Sequence, residues 1–118
     1  MFKTYSYKNY FYIADAMRIY NSTKPDQKFT LTDFNILCMV RSLNDSGRDF
    51  YMLNDQIAKS LLVSEKTIRT SINRLCEHGL LKKEPFMHAQ HRKGRYLIYQ
   101  YEEVEKFVNR MRFGLLKR

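Results

Sequence analysis

Between Ser64 and Gly79 the chain reads SEKTIRTSINRLCEHG, and the side chains able to make specific contacts there are Lys66, Thr67, Arg69, Thr70, Asn73 and Arg74. Ile68, Ser71, Ile72 and Leu75 recur at three- and four-residue steps, the spacing of one helix face. The cations, hydroxyls and amide therefore gather on the opposite face. Such a set makes hydrogen bonds and charge pairs rather than breaking covalent bonds. Lys66 and Arg69 suit the acceptor edge of guanine, Asn73 the paired donor and acceptor of adenine, and Thr67 or Thr70 a thymine methyl or a phosphate. Glu65 fits a cytosine amino group or the positive end of the helix. A solvated polar face on an arbitrary protein looks the same, so the surroundings decide.

A second basic group lies downstream, in His88-Ala89-Gln90-His91-Arg92-Lys93-Gly94-Arg95, which holds three cations and no carboxylate. A loop of this kind can enter a minor groove, where negative potential is concentrated, or simply add sequence-independent phosphate attraction. Arg92, Lys93 and Arg95 are the expected contacts. Cys76, His78, His88 and His91 carry metal-binding atoms, but a structural zinc site usually shows paired C-x(2–4)-C elements, and no metal or other cofactor is expected. With no glycine-rich phosphate loop, no clustered carboxylates and no nucleophile beside a base, an enzyme is not expected either, and no small-molecule substrate suggests itself.

The wider composition agrees with a polyanionic partner. The chain has 118 residues and a net charge of +9, and residues 51–101 hold nine Lys and Arg against four Asp and Glu. Nine Tyr and eight Phe supply enough apolar surface to offset the entropy of folding. Cys38 and Cys76 are isolated and sit in helical patterns, unlike a secreted disulfide scaffold. No apolar run reaches the roughly 18 residues of a membrane span, and no signal-peptide core is present. A cytoplasmic protein is expected, with no membrane partner.

The elements that must position these groups read off in order. Tyr10, Ile13, Ala14, Met17 and Tyr20 predict an N-terminal helix over about 9–20, broken at Asn21-Ser22-Thr23-Lys24-Pro25-Asp26. Thr30 or Thr32 can cap a second helix ending at Asn44-Asp45-Ser46-Gly47. Ile57, Ala58 and Leu61 mark a short third helix opening near Asn54, and Leu62-Val63 a turn. The fourth helix has both ends signed, by Ser64 as N-cap and Gly79 as stop. Leu80–Glu84 and Tyr96–Tyr101 read as two strands joined by a polar tip over 86–95. Val104, Phe107, Val108 and Met111, at i, i+3, i+4 and i+7, give a last helix over about 102–112.

Helix, tight turn, capped helix and a hairpin with a basic tip make the winged variant of helix-turn-helix, whose second helix enters the major groove. The expected fold class is α+β, mostly α, a winged helix-turn-helix with an extra helix at each end. Residues 1–118 form one domain with its core at 29–101.

The run from Asn54 to Leu81 resembles the core of bacterial winged-helix regulators, most specifically in Ile57-Ala58, Val63-Ser64, Thr67-Ile68 and Leu75 followed by Gly79-Leu80. It is similar to the MarR group and equally to the N-terminal domains of plasmid and phage replication initiators. Leu62 stands where many such domains hold Gly, which implies strain or a different turn. The wing lacks the Asp that MarR-type wings usually place before their Arg.

The resemblance implies a sequence-specific duplex-DNA-binding protein, with helix 64–78 in the major groove and wing 86–95 in the adjacent minor groove. A transcriptional regulator leads, an origin-binding initiator is the alternative, and a protein-interaction adaptor ranks third because Lys66, Thr67, Arg69, Thr70 and Asn73 offer no apolar patch. The double-stranded DNA contacts expected are Lys66, Thr67, Arg69, Thr70, Asn73, Arg74, Arg92, Lys93 and Arg95. Such proteins often dimerise on half-sites about one DNA turn apart. Val104, Phe107, Val108 and Met111 are the expected homodimer seam, although the same stripe could pack within one chain.

Overall fold

Ser64 and Gly79 do end one helix. The Ser64 hydroxyl oxygen accepts from the Thr67 backbone N–H at 3.1 Å, and Gly79 takes φ +77°, the left-handed conformation that a side chain resists. In the computed structural model this helix is the fourth of five. The order is α1 (Tyr5–Thr23), α2 (Leu31–Asp45), α3 (Asn54–Leu61), α4 (Glu65–Glu77), β1 (Leu81–Pro85), β2 (Arg95–Tyr99) and α5 (Tyr101–Leu116). The structure describes residues 5–24, 26, 28–85 and 94–116, the side chains of 5–9 and 114–116 aside. It is mostly helical with one small antiparallel sheet, the winged helix expected.

Contacts divide the chain into two compact units. The first, Leu31–Gln100, holds α2, α3, α4 and the sheet. β1 and β2 pair from Leu81↔Tyr99 to Pro85↔Arg95, and Phe50 adds a single bridge to Leu97, whose N–H donates to the Phe50 carbonyl at 2.9 Å. Two strands alone are marginal in water, so the sheet needs a helical cover. α2 packs on β2 and α4 on β1, and the core collects Ile36, Leu37, Val40, Phe50, Ile57, Ile68, Leu75, Leu80 and Leu97. Asn44 ties the end of α2 to the sheet, its Oδ1 accepting from the Tyr99 N–H at 2.9 Å. Arg41 lies over the Tyr99 ring and also approaches its hydroxyl, and burial pushes the Tyr99 phenol well above its ordinary pKa.

The second unit comprises Met1–Thr30 and Tyr101–Arg118. Phe29, expected in the winged core, belongs here instead. Its N–H donates to Asn21 Oδ1 at 2.7 Å, its carbonyl accepts from Asn21 Nδ2 at 2.9 Å, and its ring meets Tyr20 and Phe107 with centroids 5.1 and 5.6 Å away. The helices of this unit outrun the expected limits. α1 continues through Ser22 and Thr23 because their hydroxyls donate back to the carbonyls of Ile19 and Tyr20, at 2.7 and 2.9 Å, satisfying within the helix the groups that predict a break.

The turn between α3 and α4 keeps the helical pair tight at a cost. Leu62 adopts φ 60° and ψ 43° and is 90 % exposed, so strain, not a different turn, is the answer at this position. A left-handed conformation costs a residue with a Cβ about 1–2 kcal/mol, whereas glycine accepts it at the expense of about 0.4–1 kcal/mol of extra unfolded-state entropy. Leu62→Gly is therefore expected to raise stability by up to about 1 kcal/mol, read as a higher urea midpoint with an unchanged slope.

Candidate nucleic-acid interface

α4 is held by the residues on its inner side. Ile68, Ile72 and Leu75 are each at most 3 % exposed against the helices α2 and α3, and full burial of such side chains contributes about 1.5–3 kcal/mol apiece. Three residues per two turns pointing inward leave the opposite side to solvent. Lys66, Thr67, Arg69, Thr70 and Asn73 are all exposed there. The Thr67 hydroxyl also bonds the Ser64 hydroxyl at 2.9 Å, so it takes part in the cap. Among the described residues no carboxylate comes within ion-pair distance of Lys66 or Arg69, and their charges face solvent unneutralised.

Arg74 lies elsewhere. Its Nη1 donates to both carboxylate oxygens of Asp33, at 2.9 and 2.8 Å, and Ser71 Oγ donates to Asp33 Oδ1 at 2.5 Å. Asp33 is fully buried and the Arg74 side chain 26 % exposed, so α2 and α4 are joined by a charged pair at the floor of the candidate interface. Arg74, expected as a DNA contact, pairs with a buried carboxylate and so ties α4 to α2. The sequence reading missed Asp33, which looks like an ordinary first-turn acid. The available signal was Ser71, since a polar residue on an inward face needs a partner.

Arg95 is likewise engaged. Nη1 donates to the Met52 carbonyl at 2.5 Å and Nη2 to Asn54 Oδ1 at 2.6 Å, which fastens the start of β2 to the start of α3. Asn54, the first residue of α3, thus accepts from the arginine that opens β2. The other two wing cations, Arg92 and Lys93, lie outside the described residues. A basic residue that the sequence reading did not single out joins the open face of α4: Lys83 of β1 donates from Nζ to Asn73 Oδ1 at 3.3 Å. Strand alternation was the clue, because Lys83 shares the face of Leu81, which is 2 % exposed.

On α5 the expected seam splits. Val104 and Phe107 are each 3 % exposed, and Phe107 contacts Tyr20 and Phe29, so both are core within one chain. Val108 and Met111 are half-buried, and Phe11 and Phe113 are 64 % and 55 % exposed. Of the four metal-binding side chains, Cys76 and His78 are half-buried and His88 and His91 lie outside the described residues. Burial pushes the Cys76 thiol up, and that of Cys38 up to about 12, which disfavours the thiolate that binds metal or reacts. No helix among the described residues is long and apolar enough to cross a membrane.

Comparison with known proteins agrees with this geometry. Residues 29–81 match a family described as "Helix-turn-helix domain". Among solved structures, RV1404 from Mycobacterium tuberculosis superposes with a TM-score of 0.50 at 18 % identity, covering 90 % of this chain and 67 % of that one. The transcriptional regulator Tm0710 from Thermotoga maritima gives 0.48 at 20 % identity, over 86 % and 68 % of the two chains. BpsR from Bordetella bronchiseptica, whose DNA binding is regulated by 6-hydroxynicotinic acid, gives 0.46 at 22 %, over 87 % and 72 %. No curated protein sequence matches. The fold is a winged helix-turn-helix.

Proposed function

We propose that this chain is a cytoplasmic, sequence-specific duplex-DNA-binding regulator of transcription that lays α4 in a major groove and the segment 86–95 in the adjacent minor groove. The observation that carries this reading is the two-sidedness of α4. Its apolar side is sealed, its ends are fixed by Ser64 and Gly79, and its open side holds Lys66, Arg69, Thr70 and Asn73. Preorganised donors on a rigid helix can read acceptors on base edges, while the chain's excess positive charge draws it to phosphates. The wing contributes Arg92 and Lys93, and Arg95 anchors its base.

The regulator acts as a dimer. Because Val104 and Phe107 are used up in cis, the seam rests on Val108 and Met111 together with the exposed Phe113 and Phe11. Selection of bound duplexes from a random pool, followed by a salt titration on the winner, tests the reading. A palindromic winner, bound with log K falling steeply against log salt, is expected. Retention of every duplex alike would remove sequence specificity, and a winner of tandem repeats would favour origin binding.

A further inference from the structure

We infer that Lys83 and Asn73 form a phosphate grip at the rear of α4, so that Lys83 belongs to the DNA footprint and Asn73 positions the backbone instead of reading adenine. This rests on the DNA-binding reading above and adds two residue roles to it.

The first support is register. Lys83 pairs with Leu97, and Leu81 on the same face pairs with Tyr99; Leu97, Leu81 and Tyr99 are at most 3 % exposed. That face is the one β1 turns to α4. Lys83 lies on it but is itself exposed, and its ammonium reaches Asn73 across the gap between strand and helix.

The second is charge. The neighbouring Lys82 is paired to Glu84 at 3.1 Å, whereas no carboxylate among the described residues, which include every Asp and Glu of the chain, comes within ion-pair distance of Lys83. A cation with no counter-charge, held at a fixed place beside the recognition helix, fits an anion.

The third is donor and acceptor bookkeeping. An ammonium can only donate, so it takes one lone pair of the Asn73 carbonyl oxygen and turns that oxygen toward the strand, leaving the amide N–H groups foremost for a ligand. On the side away from that bond, Asn73 and Lys83 then offer amide and ammonium donors. Adenine requires an acceptor for its amino group as well as a donor for N7, while a phosphate oxygen requires donors only. Position agrees. Asn73 lies eight residues beyond Glu65, about 12 Å along the axis, whereas base edges are met by the N-terminal part of a recognition helix.

The test uses the full chain with a duplex selected from a random pool and a second duplex of the same composition in shuffled order. Lys83→Ala and Lys83→Gln are expected to weaken binding to both duplexes by the same factor, about fivefold near 0.15 M salt, and to lower the salt slope by about 1. Asn73→Ala is expected to weaken both equally and leave the preferred sequence unchanged. An unaltered slope in the Lys83 variants, or a preference relaxed at one base pair in Asn73→Ala, overturns the grip. If Lys66→Ala/Arg69→Ala loses binding while Lys83→Ala does not, the grip alone fails. If the unmodified chain binds neither duplex, the grip falls with the reading beneath it.

Discussion

Arg74→Ala is expected to destabilise the winged unit by about 3–5 kcal/mol, a large part of the 5–15 kcal/mol that a domain usually has. The magnitude follows from what is left behind. Asp33 is fully buried, and removing the guanidinium takes away the cation that meets both of its carboxylate oxygens. Arg74→Lys restores charge but not the geometry in which one nitrogen meets both oxygens, so only part of the loss returns. Removing the network together with its charge has a different outcome. Asp33→Leu, Ser71→Ala and Arg74→Met combined leave no stranded polar group, and this triple variant is expected to lie within about 1–2 kcal/mol of the unmodified chain. Urea unfolding followed by circular dichroism measures all three. A single Arg74→Ala loss below about 1 kcal/mol would mean that the pair is not what seats α4.

Lys66→Ala/Arg69→Ala should have the largest effect on binding. Both side chains are exposed and alanine is the best helix former, so the fold and its unfolding midpoint stay where they were. Each base contact removed is worth about 1–3 kcal/mol, so affinity for the selected duplex is expected to fall about 100-fold or more. Discrimination against the shuffled duplex falls with it. An adaptor that used this face for a protein partner would show no such loss, and survival of sequence preference in the double variant would take base reading away from α4.

The contrast between these two experiments follows what could be read from residues alone. α4 was legible because its signals are local: Ser64 and Gly79 at the ends, and Ile68, Ile72 and Leu75 at helical spacing. Leu62 was legible as an anomaly for the same reason, since a leucine where glycine belongs announces its backbone. Arg74 was not, because periodicity places it at the flank of the helix and its direction is set by Asp33, forty-one residues earlier. Lys83 needed the strand register before its neighbour on α4 could be known. On α5, the stripe of Val104, Phe107, Val108 and Met111 has one spacing whether it packs in cis or in trans, and only Tyr20 and Phe29 beside Phe107 separate the two halves of it.

Titration of the isotopically labelled chain with its selected duplex, followed by backbone amide resonances, tests the central claim most directly. The largest shifts are expected at Lys66, Thr67, Arg69, Thr70 and Asn73, with Lys83 beside them and Ile68 and Leu75 moving little. Shifts concentrated on α1 and α5, with α4 silent at saturating duplex, would contradict it.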